Sequence, residues 1–215
     1  MAIEFHTLHL GPLDNNTYIL TCSASRDTAV VDAGFEPARV IDFVRRHDLP
    51  VRLLLATHAH YDHVCGMREV AEAVGGEFWL HPADRPLLER LSDQGAMFGF
   101  PPSLAPEPVH DLADGQHIAL GVESLEVIHT PGHSPGSVTF RWGDELWAGD
   151  VLFAGSIGRT DLPGGSFEAL ERSIRGRLFP LGDGARVHPG HGPGTTLGRE
   201  RRDNPEAIER ILVPC

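Results

Sequence analysis

Val51-Arg-Leu-Leu-Leu-Ala56, an apolar run of strand length, leads straight into Thr57-His-Ala-His-Tyr-Asp-His63, where three imidazoles and a carboxylate fall within seven residues. Side chains alternate along an extended segment, so His58 and His60 point the same way. Asp62 and His63 fall where the chain turns into a helix and can face a second point. The fold therefore has to place this loop at a strand end, where one segment could serve two neighbouring metal ions.

At 215 residues with 41% hydrophobic side chains, the chain has the size and apolar content of one large domain. Residues 1–215 read as a single domain. The apolar runs are far shorter than the ~20 residues needed to span a bilayer. Met1-Ala-Ile-Glu-Phe-His6 lacks a signal peptide's basic start and apolar middle. A cytoplasmic protein with no membrane attachment is expected. Cys22, Cys65 and Cys215 are too few and too scattered for a disulfide framework, and none has a CxxC spacing. A formal net charge of -12 repels phosphate backbones and anionic surfaces, so the expected partner is a small-molecule substrate and not nucleic acid. Oligomeric state is left open.

Ile3 to Leu10, Thr17 to Cys22 and Thr28 to Asp32 read as an antiparallel opening separated by turn-forming residues. Glu36 to His47 reads as an amphipathic helix with Pro37 in its first turn and Val40, Ile41, Phe43 and Val44 on one stripe. A strand at Arg52 to Ala56 follows, then a helix at Met67 to Val74, a strand at Glu77 to Leu80 and a helix at Ala83 to Leu91. Positions 96–108, rich in Pro, Gly and Phe, read as a loop serving as a flap or an interface. Strands are expected at His117 to Leu120, Leu125 to His129, Ser137 to Trp142, Glu145 to Ala148 and Val151 to Phe153. A helix at Phe167 to Leu178, a strand at Arg186 to His188 and a helix from Glu200 to Ile211, interrupted at Asn204-Pro205, complete the pattern. Two halves that each mix strands with helices suggest two sheets packed face to face with helices outside.

Three further candidate ligands sit at strand ends beside glycine: His133 in Thr130-Pro-Gly-His133, Asp150 in Trp147-Ala-Gly-Asp150 and His191 in His188-Pro-Gly-His191. Glycine lets the backbone pass close to a metal, and the sheet holds a ligand placed just after a strand. With His58, His60, Asp62 and His63 they make five histidines and two aspartates. Tetrahedral zinc uses four ligands, so seven suit two ions sharing a bridging carboxylate. Eight other histidines fit no ligand pattern, although His129 and His188 flank ligand motifs and could support them from behind. Cys65 reads as a small packed residue.

HxHxDH, an isolated histidine, an aspartate after an apolar strand and a final histidine, in that order, resemble the metallo-β-lactamase superfamily. The resemblance implies an α/β fold, the four-layer αββα sandwich of two mixed sheets with helices outside. It implies that His58, His60 and His133 hold one ion, that Asp62, His63 and His191 hold the other, and that Asp150 bridges them. Val31-Asp32-Ala-Gly34 is similar to the family's early strand-end motif, in which the Asp32 carboxylate orients a ligand histidine without touching the metal.

Phe153-Ala-Gly-Ser-Ile-Gly-Arg-Thr-Asp-Leu-Pro-Gly-Gly165, with His191-Gly-Pro-Gly-Thr-Thr196 and Glu200-Arg-Arg-Asp-Asn-Pro205, resembles the small single-domain glyoxalase-II-like (hydroxyacylglutathione hydrolase-like) bacterial enzymes. The substrate so implied is a thioester such as S-lactoylglutathione, attacked by a hydroxide bridging two divalent ions. Two ions lower the pKa of a shared water from about 15.7 towards about 7. Zinc is the expected metal, and iron or manganese suit the same ligands. Asp62 would orient the hydroxide or take its proton. Arg159 and Asp161 are the candidate substrate-binding pair at the pocket edge, an Arg-Asp ion pair being their plainer reading. Full-length glyoxalase II has a C-terminal helical domain that grips glutathione, and that domain is not expected here. The alternatives are a mononuclear-iron persulfide dioxygenase, a lactonase and a non-catalytic metal-binding protein.

Overall fold

The structure, a computed structural model, describes residues 2–204. Strands β1 (Ile3–Leu10), β2 (Asn15–Cys22), β3 (Thr28–Val31), β4 (Val51–Leu55), β5 (Glu77–Leu80) and β6 (Val109–Asp111) form one six-stranded sheet in sequence order. β1, β2 and β3 pair antiparallel, and β3 to β6 pair parallel. The second sheet takes β7 (His117–Leu120), β8 (Glu123–His129), β9 (Val138–Trp142) and β10 (Glu145–Gly149) as an antiparallel meander. A small hairpin of β11 (Leu152–Phe153) and β12 (Ser156–Ile157) follows. β13 (Arg186–Pro189) then joins β10 in parallel, and β14 (Thr195–Thr196) closes the edge. The expected mixed αββα sandwich is the architecture observed.

Alternation along the strands builds its layers. Leu20, Ala29, Val31, Leu53 and Leu55 of the first sheet meet Leu125, Val127, Phe140 and Trp147 of the second in one buried cluster. Their neighbours Ile19, Val30 and Leu54 point the other way, onto α1 (Pro37–Arg46), α2 (Tyr61–Val64) and α3 (Met67–Val74), meeting Val40, Ile41, Val44, Val64, Met67 and Val70. Leu146, Ala148 and Val187 cover the far face of the second sheet with Leu170, Ile174 and Leu178. Both faces of each central strand are therefore buried, which is why the strands read as nearly continuous apolar runs.

Three expectations need correction. The single helix expected over Ala83 to Leu91 is a 3₁₀ turn at Pro82–Asp84 followed by α4 (Arg85–Glu89) and α5 (Leu91–Met97). Pro86 lacks an N–H and so begins a helix more readily than it continues one. α5 runs into the expected loop because Gly95, a poor helix former, packs where a Cβ would come within 2.5 Å of Tyr61. The helix starting at Phe167 is α6 (Phe167–Ser173), which widens into a π turn through Leu178. The last described helix, α7 (Leu197–Asp203), begins three residues before the expected Glu200 and stops before Asn204, while Pro205 and the expected continuation to Ile211 lie outside the described residues. The very short strands β6, β12 and β14 were not anticipated, since two or three residues carry no periodicity. No helix among the described residues is long and apolar enough to cross a membrane.

Phe140 is fully buried between the sheets and pairs in register with Trp147. Phe140→Ala is expected to cost about 3–5 kcal/mol in denaturant unfolding of the metal-stripped protein. A loss below about 1 kcal/mol would contradict packing of the sheets through this layer.

Candidate metal centre

Strand direction gathers the site. β8, β10 and β13 run the same way, and His133, Asp150 and His191 each follow the C-terminal end of one of them. In the other sheet β3 and β4 are parallel, with Asp32 and the His58–His63 segment just beyond their ends. The edges of the two sheets meet, and all seven candidate ligands converge there.

Three groups of ligand atoms each lie within 4.8 Å of one another: His58, His60 and His133; Asp62, His63 and His191; and His58, His63 and Asp150. Asp150 stands between the first two. Its Oδ1 is 3.5 Å from His63 Nε2, and its Oδ2 is 3.5 Å from both His133 Nε2 and His191 Nε2. Asp62 Oδ2 is 3.3 Å from His191 Nε2 and 3.5 Å from His63 Nε2. His60 Nδ1 is 2.8 Å from His133 Nε2. Gly190 permits this approach, since a Cβ there would stand 2.2 Å from Asp150 Oδ1.

Hydrogen bonds outside the cluster decide which ring nitrogen faces inward. His133 Nδ1 donates to the Arg159 carbonyl at 2.8 Å and His191 Nδ1 to the Leu13 carbonyl at 2.9 Å, because a carbonyl only accepts. His63 Nδ1 donates to Asp32 Oδ2 at 3.0 Å. Thr57 Oγ1 donates to the same oxygen at 2.7 Å and so accepts from His58 Nδ1 at 3.1 Å. Each of these four rings spends Nδ1 outside and presents Nε2 to the cluster. Asp32, at φ 57 in the left-handed region that Asp tolerates, also accepts from Thr57 N at 2.8 Å.

The charges divide in two. Burial, reinforced by neighbouring histidines, holds His58 well below the ordinary imidazole range and His60 at about 3, so both are neutral. On the other side burial is outweighed: Asp62, Asp150 and Asp32 hold His63 well above its usual value, and hydrogen bonds to Asp150 and Asp62 push His191 up to about 10. Despite burial, the same pairings hold Asp62 and Asp150 below the usual carboxylate range. His58 Nε2 and Asp150 Oδ1 are buried without a hydrogen-bond partner. An orphaned imidazole lone pair and an orphaned carboxylate oxygen, side by side, are what a divalent cation satisfies, so the donor set fits a metal.

Arg159 and Asp161 form an exposed bidentate ion pair, 2.7 Å at both contacts, at the end of the segment whose main chain orients His133. His188 instead hydrogen-bonds Glu145 and stacks on Trp147, and His129 stacks on His81; neither supports a ligand ring. Burial pushes the Cys65 thiol up to about 12, as befits a packed residue and not a nucleophile. The segment after α5 is pinned over α2: Phe100 stacks on Tyr61, Tyr61 donates to the Pro101 carbonyl and Ser103 to that of Cys65. Sequence reasoning missed Asn15, whose Nδ2 donates to Asp62 Oδ2 at 2.9 Å, and Gln94, which bonds Ala59 O and Tyr61 N. Lone amides in a turn and a helix carry no pattern that could have marked them.

With a pKa near 10, His191 is protonated at about pH 8 in the metal-stripped protein and must lose that proton to become a ligand. Zinc uptake at that pH is expected to release at least one proton on this side, where His63 is also held above its usual value, and apparent affinity is expected to weaken as pH falls below 10. Calorimetric titration in buffers of different ionisation enthalpy reads the proton count, and uptake without release would contradict this charge state.

The sequence profile of the metallo-beta-lactamase superfamily matches residues 10–191. Hydroxyacylglutathione hydrolase GloC of Haemophilus influenzae is 38% identical over 185 residues, covering 84% of this chain and 87% of its own. The crystal structure of the BLEG-1 B3 metallo-beta-lactamase superposes with a TM-score of 0.88 at 35% identity, covering 95% of this chain and all of that one (100%). TTHA1623, crystallised in a di-iron-bound form, superposes with a TM-score of 0.86 at 40% identity over 93% of this chain and 98% of its own. Fold, converging histidines and sequence agree: the chain belongs to the metallo-beta-lactamase superfamily.

Proposed function

We propose that this protein is a metal-dependent hydrolase of thioesters such as S-lactoylglutathione, with two divalent ions, zinc being the expected metal. The observation that carries the reading is the convergence of His58, His60 and His133 on one side and Asp62, His63 and His191 on the other, with Asp150 between them. The first trio would hold one ion, the second trio the other, and Asp150 would bridge. Divalent ions bound there would supply an activated water and polarise the scissile carbonyl.

The chain's own groups do the rest. Asp62, kept ionised beside His63 and His191 and held by Asn15, would orient the attacking water, and its lowered pKa favours that role over keeping the water's proton. A thiolate, from a thiol of pKa about 8.5, departs near neutral pH without a proton donor, which suits a site whose imidazoles are committed as ligands. Arg159 and Asp161, an exposed pair on the segment whose main chain meets His133, would contact the acyl or thiol portion. The likeness to Haemophilus influenzae GloC supports the thioester class. A β-lactam is the second reading, supported by the likeness to BLEG-1.

Protein purified without added metal should contain two transition-metal ions per chain and cleave S-lactoylglutathione. Chelation should lower the rate by more than ~100-fold, and added zinc, iron or manganese should restore it. Thioester cleavage that survives chelation would contradict the metal reading. β-Lactam turnover without thioester turnover would favour the second substrate. One iron per chain with oxygen uptake on glutathione persulfide would reject hydrolysis.

A further inference from the structure

Asp84 is fully buried and belongs to none of the ligand groups, yet its carboxylate joins two loops that feed one of them. Oδ2 accepts from Ala59 N at 2.9 Å and from Ser134 Oγ at 2.7 Å, and Oδ1 accepts from Gly136 N at 2.6 Å. Ala59 lies between His58 and His60 on the first sheet's loop. Ser134 and Gly136 follow His133 on the second sheet's loop. Ser137 Oγ, 2.7 Å from Ser134 Oγ, completes the contact.

Both carboxylate oxygens face a backbone N–H, and a backbone N–H cannot turn into an acceptor. An amide in this place would set its own NH₂ against one of them. The geometry therefore calls for a carboxylate and not merely for a polar group of that shape. The other half of the centre makes no contact with Asp84: His63 hangs on Asp32, which also reaches His58 through Thr57, Asp62 on Asn15 and His191 on the Leu13 carbonyl.

We propose that Asp84 is the positioning residue of the His58, His60 and His133 group, clamping its two source loops together so that three imidazoles face one point before an ion arrives. The inference rests on the ligand assignment proposed above. It assigns Asp84 to one half of the centre only.

The test is stepwise zinc titration of metal-stripped protein against a competing chelator, with imidazole nitrogen NMR showing which rings respond at each step. Asp84→Asn should weaken the step that shifts His58, His60 and His133 by about 10–100-fold, the usual cost of losing an outer support. The step that shifts His63 and His191 should move less than about twofold. Gly136→Ala keeps the carboxylate but puts a Cβ 2.7 Å from Asp84 Cγ, and Ser134→Ala removes one donor. Both should weaken the same step and provide the reading if Asp84→Asn does not fold. Equal weakening of both steps, or of neither, overturns the inference while the wild type still takes up two ions. A wild type that takes up none overturns the ligand assignment beneath it.

Discussion

An imidazole offers one N–H and one lone pair, and a cluster of five can turn lone pairs inward only if the N–H groups find acceptors outside. The centre depends on that constraint. Asp32 meets it for two rings at once, accepting directly from His63 and, through Thr57, holding His58. Main-chain carbonyls of Arg159 and Leu13 meet it for His133 and His191. The acceptors come from elements as distant in sequence as Leu13 and Arg159, so the ligand geometry is a property of the whole sandwich and not of the histidine-rich loop.

The sheets are locked together at the same edge. Val138 N donates to the Thr57 carbonyl, and Tyr18 Oη and Asn16 Nδ2 both donate to the Pro189 carbonyl. Asn16 Nδ2 also reaches the Gly192 carbonyl. Buried bonds of this kind cost about 1–3 kcal/mol each when one partner is lost, because the other is left unsatisfied. The apolar layer of Leu55, Val127, Phe140 and Trp147 holds the sheets face to face, and these polar contacts fix the register at the end that matters.

Much of this was legible in the sequence, for identifiable reasons. Strand after strand alternates between the inter-sheet layer and a helix-covered face, so runs such as Val51 to Ala56 announce themselves. The candidate ligands could be read because histidine and aspartate beside glycine at strand ends form a pattern in order along the chain. The supporting residues were mostly not legible. Asp32 was, because it sits in a strand-end motif, but the contacts of Asn15 and Asp84 form only when distant loops meet. The α5 helix was hidden because Gly95 pays its propensity cost for a contact with Tyr61 that no local pattern reveals.

The central claim is that seven side chains form two adjoining metal positions with Asp150 between them. Anomalous diffraction at the absorption edges of the metals present, on crystals of protein purified without added metal, tests it most directly. Two peaks are predicted, one among His58, His60 and His133 and one among Asp62, His63 and His191, with the Asp150 carboxylate touching both. A single peak, or two that leave Asp150 uncoordinated, would contradict the account.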